Sequence, residues 1–140
     1  MPIDERWDLV SDDDWSHFAR DWVNQLRHGQ QEGERDWDES VTMMNFTARS
    51  EQQWKFILAA VSYAQTDDEL GHIAAGPIEH LLGWHGEKYI SAIESQAASD
   101  SKFAKTITGV WKYKMSDDIW NRVQLIQRQA EPLKRSEDAN

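Results

Sequence analysis

Apolar positions recur along the chain with helical spacing. After Ser11, large apolar residues fall at every third or fourth position: Trp15, Phe18, Trp22 and Leu26. This period places their side chains on one face of an α-helix. Ser11 is a good N-cap, the three aspartates that follow it suit the positive end of a helix, and Gly29 is a natural stop. The pattern therefore predicts a helix between Ser11 and Gly29.

Similar stripes predict helices through the rest of the chain. Residues 35–47 have helical spacing, although the stretch VTMMNF within them also fits a short strand. Two capping boxes mark further helix starts: Ser50 with Gln53, and Thr66 with Glu69. The same pattern predicts a helix around Tyr89, Ile90 and Ile93, one capped by Asp100 or Ser101, and one that begins at Ser116.

The most strongly patterned part of the chain is ELGHIAAGPIEHLLGWHG at residues 69–86. Gly76 suits the end of one helix, and Pro77 suits the first position of the next, where its missing N–H is not needed. Glu79 then falls in the first turn, where the helix dipole favours a carboxylate. We therefore predict a helix break at Gly76–Pro77 and another at Gly86.

Together these patterns predict an all-α protein of about eight short-to-medium helices. Short loops favour antiparallel neighbours, so we expect antiparallel helical hairpins packed in one compact domain. The length suits a single helical domain, which we place at residues 1–130. The polar segment 131–140 has little to bury and is predicted to be a flexible C-terminal tail. No fixed period runs through the chain, which argues against a repeat solenoid.

The charge of the chain is acidic and uneven. The net charge is −10; residues 1–100 carry 20 acids and 7 bases, whereas residues 101–140 carry 5 acids and 8 bases. Such a surface repels nucleic acid and attracts a basic partner, although it also serves solubility alone. Four late lysines near Trp111 are better explained as balancing the acidic half than as an anion- or nucleic-acid-binding strip: Lys102, Lys105, Lys112 and Lys114.

Cysteine is absent from the chain, which excludes disulfides and thiol chemistry and fits a cytoplasmic protein. No apolar run is long enough for a transmembrane helix, so we expect no membrane partner. The first residues, MPIDERWDLV, carry acids where a secretory signal carries basic residues, so we expect no such signal.

Tryptophan is unusually frequent, with eight in 140 residues. Each indole buries a large area and needs only one hydrogen-bond partner, so most of the tryptophans are expected in the core. Tryptophan is also enriched among the residues that dominate binding energy, so we expect one or two on a binding surface.

Candidate chemistry is confined to residues 69–86. Glu69 and His72 share a helix face, but a di-iron site needs a second Glu-x-x-His pair, which the sequence lacks. The sequence also lacks phosphate loops and dinucleotide fingerprints. We therefore assign no catalytic residue, metal or cofactor. An alternative to a purely structural role is a ligand pocket lined by His72, Glu79 and His85, in which the carboxylate shifts the pKa of the imidazoles.

Residues 67–111 resemble the signature segment of a family of small bacterial proteins known only as a domain of unknown function. The family's motif, similar to AAGPLEDLL followed by His-Gly, is matched by AAGPIEHLLGWHG at residues 74–86, and the similarity covers roughly residues 20–111. His80 stands where the family has an acid, which argues against a role for paired carboxylates at 79 and 80. The resemblance implies an all-helical fold and carries no activity.

Two classes of function follow. The first, which we favour, is a non-enzymatic acidic module that binds a basic protein, in the manner of immunity proteins and antitoxin-like inhibitors. Its candidate contact residues are acids near the start of the chain: Asp12, Asp13, Asp14, Glu34, Asp36, Asp38 and Glu39. The second is a small enzyme or ligand-binding domain that uses Glu79 with His72 or His85 near the Gly76–Pro77 break.

Overall fold

The computed structural model describes residues 2–134, and all regular elements in that range are helical. A short 3₁₀-helix at Glu5–Leu9 is followed by α1 (Asp12–His28), α2 (Trp37–Thr47) and α3 (Ser50–Tyr63). The later elements are α4 (Asp67–Ile73), a π-helical segment (Ala74–Ile78), α5 (Glu79–Ser99), α6 (Ser101–Ile107) and α7 (Asp117–Gln129). The all-α prediction is confirmed.

Two compact units divide the chain, one up to Ala64 and the other from Gln65 onward. In the first unit, α1 packs mainly on α3, and α2 packs on α1. In the second unit, α5 packs on α6 and α7. The single domain expected over residues 1–130 stays a prediction. None of the helices within residues 2–134 combines the length and the apolar character that a membrane crossing requires.

Side-chain caps set several helix starts, as the sequence predicted. Ser11 Oγ accepts a hydrogen bond from the N–H of Asp14 at 3.1 Å, and Ser116 Oγ accepts one from the N–H of Ile119 at 3.2 Å. These bonds satisfy N–H groups that have no partner inside the helix. α1 ends before Gly29, whose φ of 77° lies in the left-handed region that favours glycine.

The helix predicted within residues 35–47 is confirmed, whereas two finer expectations for the first unit are wrong: the strand alternative for VTMMNF and the capping box at Ser50. The stretch VTMMNF lies inside α2, so it is not a strand. The capping box before α3 is displaced by one residue, because Arg49 is the N-cap and its N–H donates to Gln52 Oε1 at 2.9 Å. Gln53 is buried instead, and its Nε2 donates to the carbonyl of Ala48 at 3.0 Å. Since Gln53 faces the core, Gln52 is the residue that reaches the free N–H.

The helix break predicted at Gly76–Pro77 is also wrong. The π-helical segment Ala74–Ile78 joins α4 to α5 without interruption, and the N–H of Glu79 donates to the carbonyl of Ala74. A proline inside a helix removes one i→i−4 hydrogen bond, and the wider π turn accommodates that loss without ending the helix. Apart from the short 3₁₀-helix, the described chain therefore has six separate helices rather than about eight.

A kink occurs at His85, where φ of −137° and ψ of 28° leave the helical region inside α5. The break predicted at Gly86 is therefore a kink within a helix that continues to Ser99. Gly86 lies against α7, and a Cβ there would come within 3.3 Å of the Ile119 side chain. The absence of a side chain at Gly86 thus allows α5 and α7 to pack closely.

The first residues of the predicted tail are held against the second unit. The N–H of Leu133 donates to Thr108 Oγ1 at 3.0 Å, and the N–H of Lys134 donates to the Asp67 carboxylate at 3.1 Å. Leu133 also packs against Gly109, where a Cβ would lie 2.8 Å from its Cδ1. The rest of the predicted tail, residues 135–140, lies outside the described residues.

The eight tryptophans differ widely in exposure. Trp15 and Trp22 are buried, whereas Trp84 and Trp111 have 53% and 67% of their surface exposed. The others are half-buried: Trp7, Trp37, Trp54 and Trp120. Fewer are fully buried than expected, and whether the two exposed tryptophans belong to a binding surface stays a prediction.

Candidate functional site

The first group of predicted contact acids lies in the first turn of α1. Asp12, Asp13 and Asp14 are all exposed. Asp12 accepts a hydrogen bond from Lys55 Nζ at 2.7 Å, which ties α1 to α3. Because carboxylates in a first turn are favoured by the helix dipole, this group has a structural role that needs no partner.

The second group lies at the start of α2 and in the segment before it, and all four of its acids are exposed: Glu34, Asp36, Asp38 and Glu39. Asp36 is the N-cap, and its Oδ1 accepts hydrogen bonds from the N–H groups of Asp38 and Glu39 at 3.1 and 3.2 Å. A hydrogen bond from the Gln25 side chain is the main cause of a lowered pKa at Glu34. This segment therefore presents ordered carboxylates at the surface.

A small cleft opens beside the second acidic group. Its volume is about 280 Å³, and Trp7 and Met43 supply its large apolar side chains. Asp36 and Glu39 also line it. No lysine or arginine within residues 2–134 forms an ion pair with either carboxylate. We call Trp7, Asp36, Glu39 and Met43 the acidic cleft.

Trp7 is held in place on the wall of the acidic cleft. Its Nε1 donates to Thr47 Oγ1 at 2.8 Å. Its ring stacks on Trp15 and Phe18, with centroid separations of 5.5 and 5.9 Å. Stacking and a satisfied indole N–H fix the orientation of the ring, so the apolar wall is preorganised.

One base, Arg35, shares the lining of the acidic cleft. Its guanidinium lies 5.1 Å from the centroid of the Trp37 ring, and its Nε donates to Ser40 Oγ at 3.0 Å. These contacts hold the Arg35 side chain against Trp37 and Ser40. Two carboxylates and one guanidinium leave the lining with a negative charge, so the cleft suits a lysine or arginine side chain whose stem packs on Trp7.

The three residues of the predicted ligand pocket lie in different surroundings. His72 is exposed, and its Nε2 is 3.8 Å from the Asp68 carboxylate. His72 lines an open depression of about 510 Å³, whereas His85 lines another of about 440 Å³ together with Trp84. Glu79 lines neither of them. Within residues 2–134, no group of three histidines and carboxylates is placed to hold a metal ion.

Glu79 connects α5 to the segment between α6 and α7. Its Oε2 accepts a hydrogen bond from the N–H of Trp111 at 3.1 Å. Burial raises the pKa of the half-buried Glu79 carboxyl, and this hydrogen bond opposes the rise. Because the helix runs on through Pro77, the free helix N-terminus expected at Glu79 does not exist. The hydrogen bond from Trp111 to its carboxylate is thus a tertiary contact.

A second surface lies on the unit that begins at Gln65. Lys114 Nζ is 4.8 Å from the centroid of the Trp84 ring and 5.8 Å from that of Tyr113. Both rings are exposed, at 53% and 41%. The segment bearing Tyr113 passes so close to α5 that a Cβ on Gly83 would lie 2.7 Å from the Tyr113 carbonyl oxygen. We call Trp84, Tyr113 and Lys114 the aromatic–lysine surface.

Comparison with known proteins gives one match. A family model described as "Family of unknown function (DUF6869)" covers residues 25–131, which is most of the chain. The chain belongs to this family. The match agrees with the resemblance to a domain of unknown function, while the specific motif at residues 74–86 stays a prediction. No curated protein and no solved structure matches the chain.

Two features of this DUF6869 protein were missed by reasoning from the sequence. The first is the apolar wall that Trp7 and Met43 give to the acidic cleft, for which the sequence offers no signal. The second is the aromatic–lysine surface, which the alternation Trp-Lys-Tyr-Lys at residues 111–114 does signal. From the sequence, its lysines were explained mainly as charge balance, with an anion- or nucleic-acid-binding strip as the less favoured alternative, and the contribution of Trp84 was missed.

Proposed function

We propose that this DUF6869 protein is a non-enzymatic module that binds a basic protein partner at the acidic cleft. The observation that carries the proposal is that Asp36 and Glu39, two carboxylates without an ion-pair partner in residues 2–134, lie beside the fixed ring of Trp7. A partner lysine or arginine packs its apolar stem on Trp7 and brings its charge to the carboxylates. Aromatic anchors combined with charge complementarity are typical of protein interfaces.

The charge around the acidic cleft favours the encounter with such a partner. Residues 32–39 carry five acids and one base, and all six side chains are exposed. A local excess of one sign steers an oppositely charged protein during diffusion and raises the rate of association. We therefore expect the association rate to fall as salt is added, because the charges are screened over about 8 Å at physiological ionic strength.

In its finer form, the proposal is that the chain is a bacterial, cytoplasmic immunity or antitoxin-like protein that inhibits its basic partner. The absence of cysteine fits a reducing compartment. An inhibitor of this kind acts by covering the partner's functional surface. The activity of the captured partner, measured with increasing amounts of the chain, tests this form.

The binding proposal is tested by capture from a lysate of the native host. The wild-type chain is compared with the double variant Asp36→Asn, Glu39→Gln, in which asparagine retains the N-cap of α2. The matched control, Asp118→Asn with Glu131→Gln, removes two charges from exposed acids elsewhere. Circular dichroism confirms that the three proteins are folded alike.

We expect wild type and control to retain the same basic protein and the cleft variant to lose it. The purified pair should then bind more weakly by at least about tenfold when the two cleft charges are removed. Equal retention by all three proteins, or an acidic partner, contradicts the proposal.

The alternative is a ligand-binding domain that uses Glu79 with His72 or His85. The half-buried Glu79 carboxyl with its raised pKa favours this alternative. Native mass spectrometry of chain purified from its host tests it. A small molecule retained by wild type and by Asp118→Asn, but not by Glu79→Gln, supports a ligand site at Glu79. If both variants retain the small molecule equally, or if wild type retains no small molecule, a ligand site at Glu79 is excluded.

A further inference from the structure

We propose that the aromatic–lysine surface docks an acidic segment of a protein partner. This second contact is independent of the acidic cleft, since its residues belong to the unit that begins at Gln65. Trp84, Tyr113 and Lys114 together form an exposed apolar surface with one cation held at its centre.

Lys114 is the central group of this surface. Its backbone φ of 56° is left-handed, a conformation that costs energy for any residue except glycine. This conformation accompanies the placement of its ammonium over the ring of Trp84, where the two are attracted electrostatically. The side chain is therefore oriented before any partner arrives.

No carboxylate neutralises Lys114 within residues 2–134. Other lysines of the same unit are neutralised: Lys105 pairs with Asp67, and Lys112 pairs with Asp117. An oriented, unpaired ammonium beside exposed aromatic rings is complementary to a carboxylate on another molecule.

The surface beside Lys114 can accept an apolar side chain that neighbours the partner's carboxylate. Trp84 and Lys114 border a depression of about 440 Å³, which Leu82 and Ile119 line together with the charged residues Glu87 and Lys88. An aliphatic side chain of the partner can enter this depression while its neighbouring carboxylate meets Lys114. Tryptophan and tyrosine supply large contact areas at low cost in conformational entropy.

An acidic protein segment fits better than a single-stranded nucleic acid. Bases bind such surfaces by stacking on aromatic faces, but the ammonium of Lys114 already covers a face of Trp84. A nucleic acid also carries a phosphate at every nucleotide and is repelled along its length by a protein of net charge −10. A short acidic segment brings only a few charges.

The test uses the full chain and a short peptide that alternates glutamate and leucine. The indole N–H signal of Trp84, assigned with Trp84→Phe, is followed by NMR during titration. A peptide in which glutamine replaces glutamate measures the apolar contribution alone, and oligothymidylate measures binding of nucleic acid. Lys114→Gln removes the cation, Lys114→Arg retains it, and Arg128→Gln removes a charge from another exposed residue of the same unit.

We expect the glutamate peptide to shift the Trp84 signal, and the glutamine peptide, which retains only the apolar contacts, to shift it only at concentrations about tenfold higher. Lys114→Gln should weaken binding by about tenfold, as expected for the loss of one charge-assisted contact. Lys114→Arg and Arg128→Gln should bind as wild type does. The proposal is overturned if the glutamate peptide causes no shift, if Lys114→Gln binds equally well, or if oligothymidylate binds more tightly than the peptide.

Discussion

Glu79 is a carboxylate whose charge opposes folding. Its ionised form is partly removed from water, and the single N–H of Trp111 only partly compensates. The pKa of Glu79 is higher in the folded chain than its unfolded value of 4.5. Its contribution to stability is therefore fully present below pH 4.5 and is lost as the pH rises through the folded pKa.

Because ionisation of Glu79 destabilises the folded chain, a prediction follows for Glu79→Gln. The amide retains an oxygen that accepts from Trp111 but carries no charge, so the variant should be more stable than wild type at pH 7, by up to about 1 kcal/mol. At pH 4, where the wild-type carboxyl is largely protonated, the difference should disappear. Urea denaturation at both pH values measures it, and the exposed Glu87→Gln is the control. A Glu79→Gln variant that is less stable at pH 7 contradicts this account.

Lys114 provides a second prediction at the scale of one residue. Its φ of 56° is readily adopted by glycine and strongly disfavoured for a β-branched residue. Lys114→Gly and Lys114→Val both remove the contact with Trp84, so their difference isolates the backbone conformation. In urea denaturation, the glycine variant should be more stable than the valine variant by about 1–2 kcal/mol. Equal stabilities would mean that the segment adopts another conformation at little cost.

At the scale of elements, periodicity and capping predicted the helices well. The stripe and caps of α1 and the Ser116 cap of α7 could be predicted because both depend on local sequence. The region around Pro77 could not. Proline is compatible with a helix start and, through a π turn, with a helix interior, and packing decides between them. Of the acidic cleft, only the acids Asp36 and Glu39 were named from the sequence. Tertiary structure brings Trp7 to the same cleft.

The start of α4 offers a test of a single cap. Thr66 Oγ1 accepts from the N–H of Glu69 at 3.1 Å, and Glu69 Oε1 accepts from the N–H of Gln65 at 2.9 Å. Thr66→Ala should lower the free energy of unfolding by about 1 kcal/mol, and Thr66→Ser should restore most of it. Thr42→Ala, on the exposed side of α2, should change it by less than about 0.5 kcal/mol. Thermal denaturation of the three variants measures the order of their stabilities. A Thr66→Ala variant as stable as Thr42→Ala contradicts the role of Thr66 as a cap.

At the scale of the whole molecule, charge is the dominant property. The chain has 25 acids against 15 lysines and arginines, so the carboxylates outnumber the cations available to pair with them. The ion pairs that do form are mostly exposed, and such pairs contribute little individually. An excess of charge of one sign acts on solubility and on rates of association rather than on the fold.

Acid should destabilise the whole molecule below pH 4, which is our last prediction. Hydrogen bonds from cationic side chains are the largest cause of lowered pKa values at Asp4, Asp8, Glu94 and Asp117, with Asp4 reaching about 2. The stability that these groups contribute is present above their unfolded pKa and is lost as the pH falls through their folded pKa. The urea midpoint should therefore fall between pH 4 and pH 2, opposite in sign to the effect of Glu79.

Two contributions to this acid effect can be separated. At low pH the acids are neutral, 15 lysines and arginines stay charged and five histidines become charged, so the molecule also repels itself. Added salt screens that repulsion but does not replace a protonated carboxylate. Glu94→Gln, which removes the partner of Arg122 at every pH, should show a smaller loss of stability between pH 7 and pH 2 than wild type. If salt restores the urea midpoint completely, repulsion alone explains the acid effect and the carboxylate contacts contribute nothing measurable.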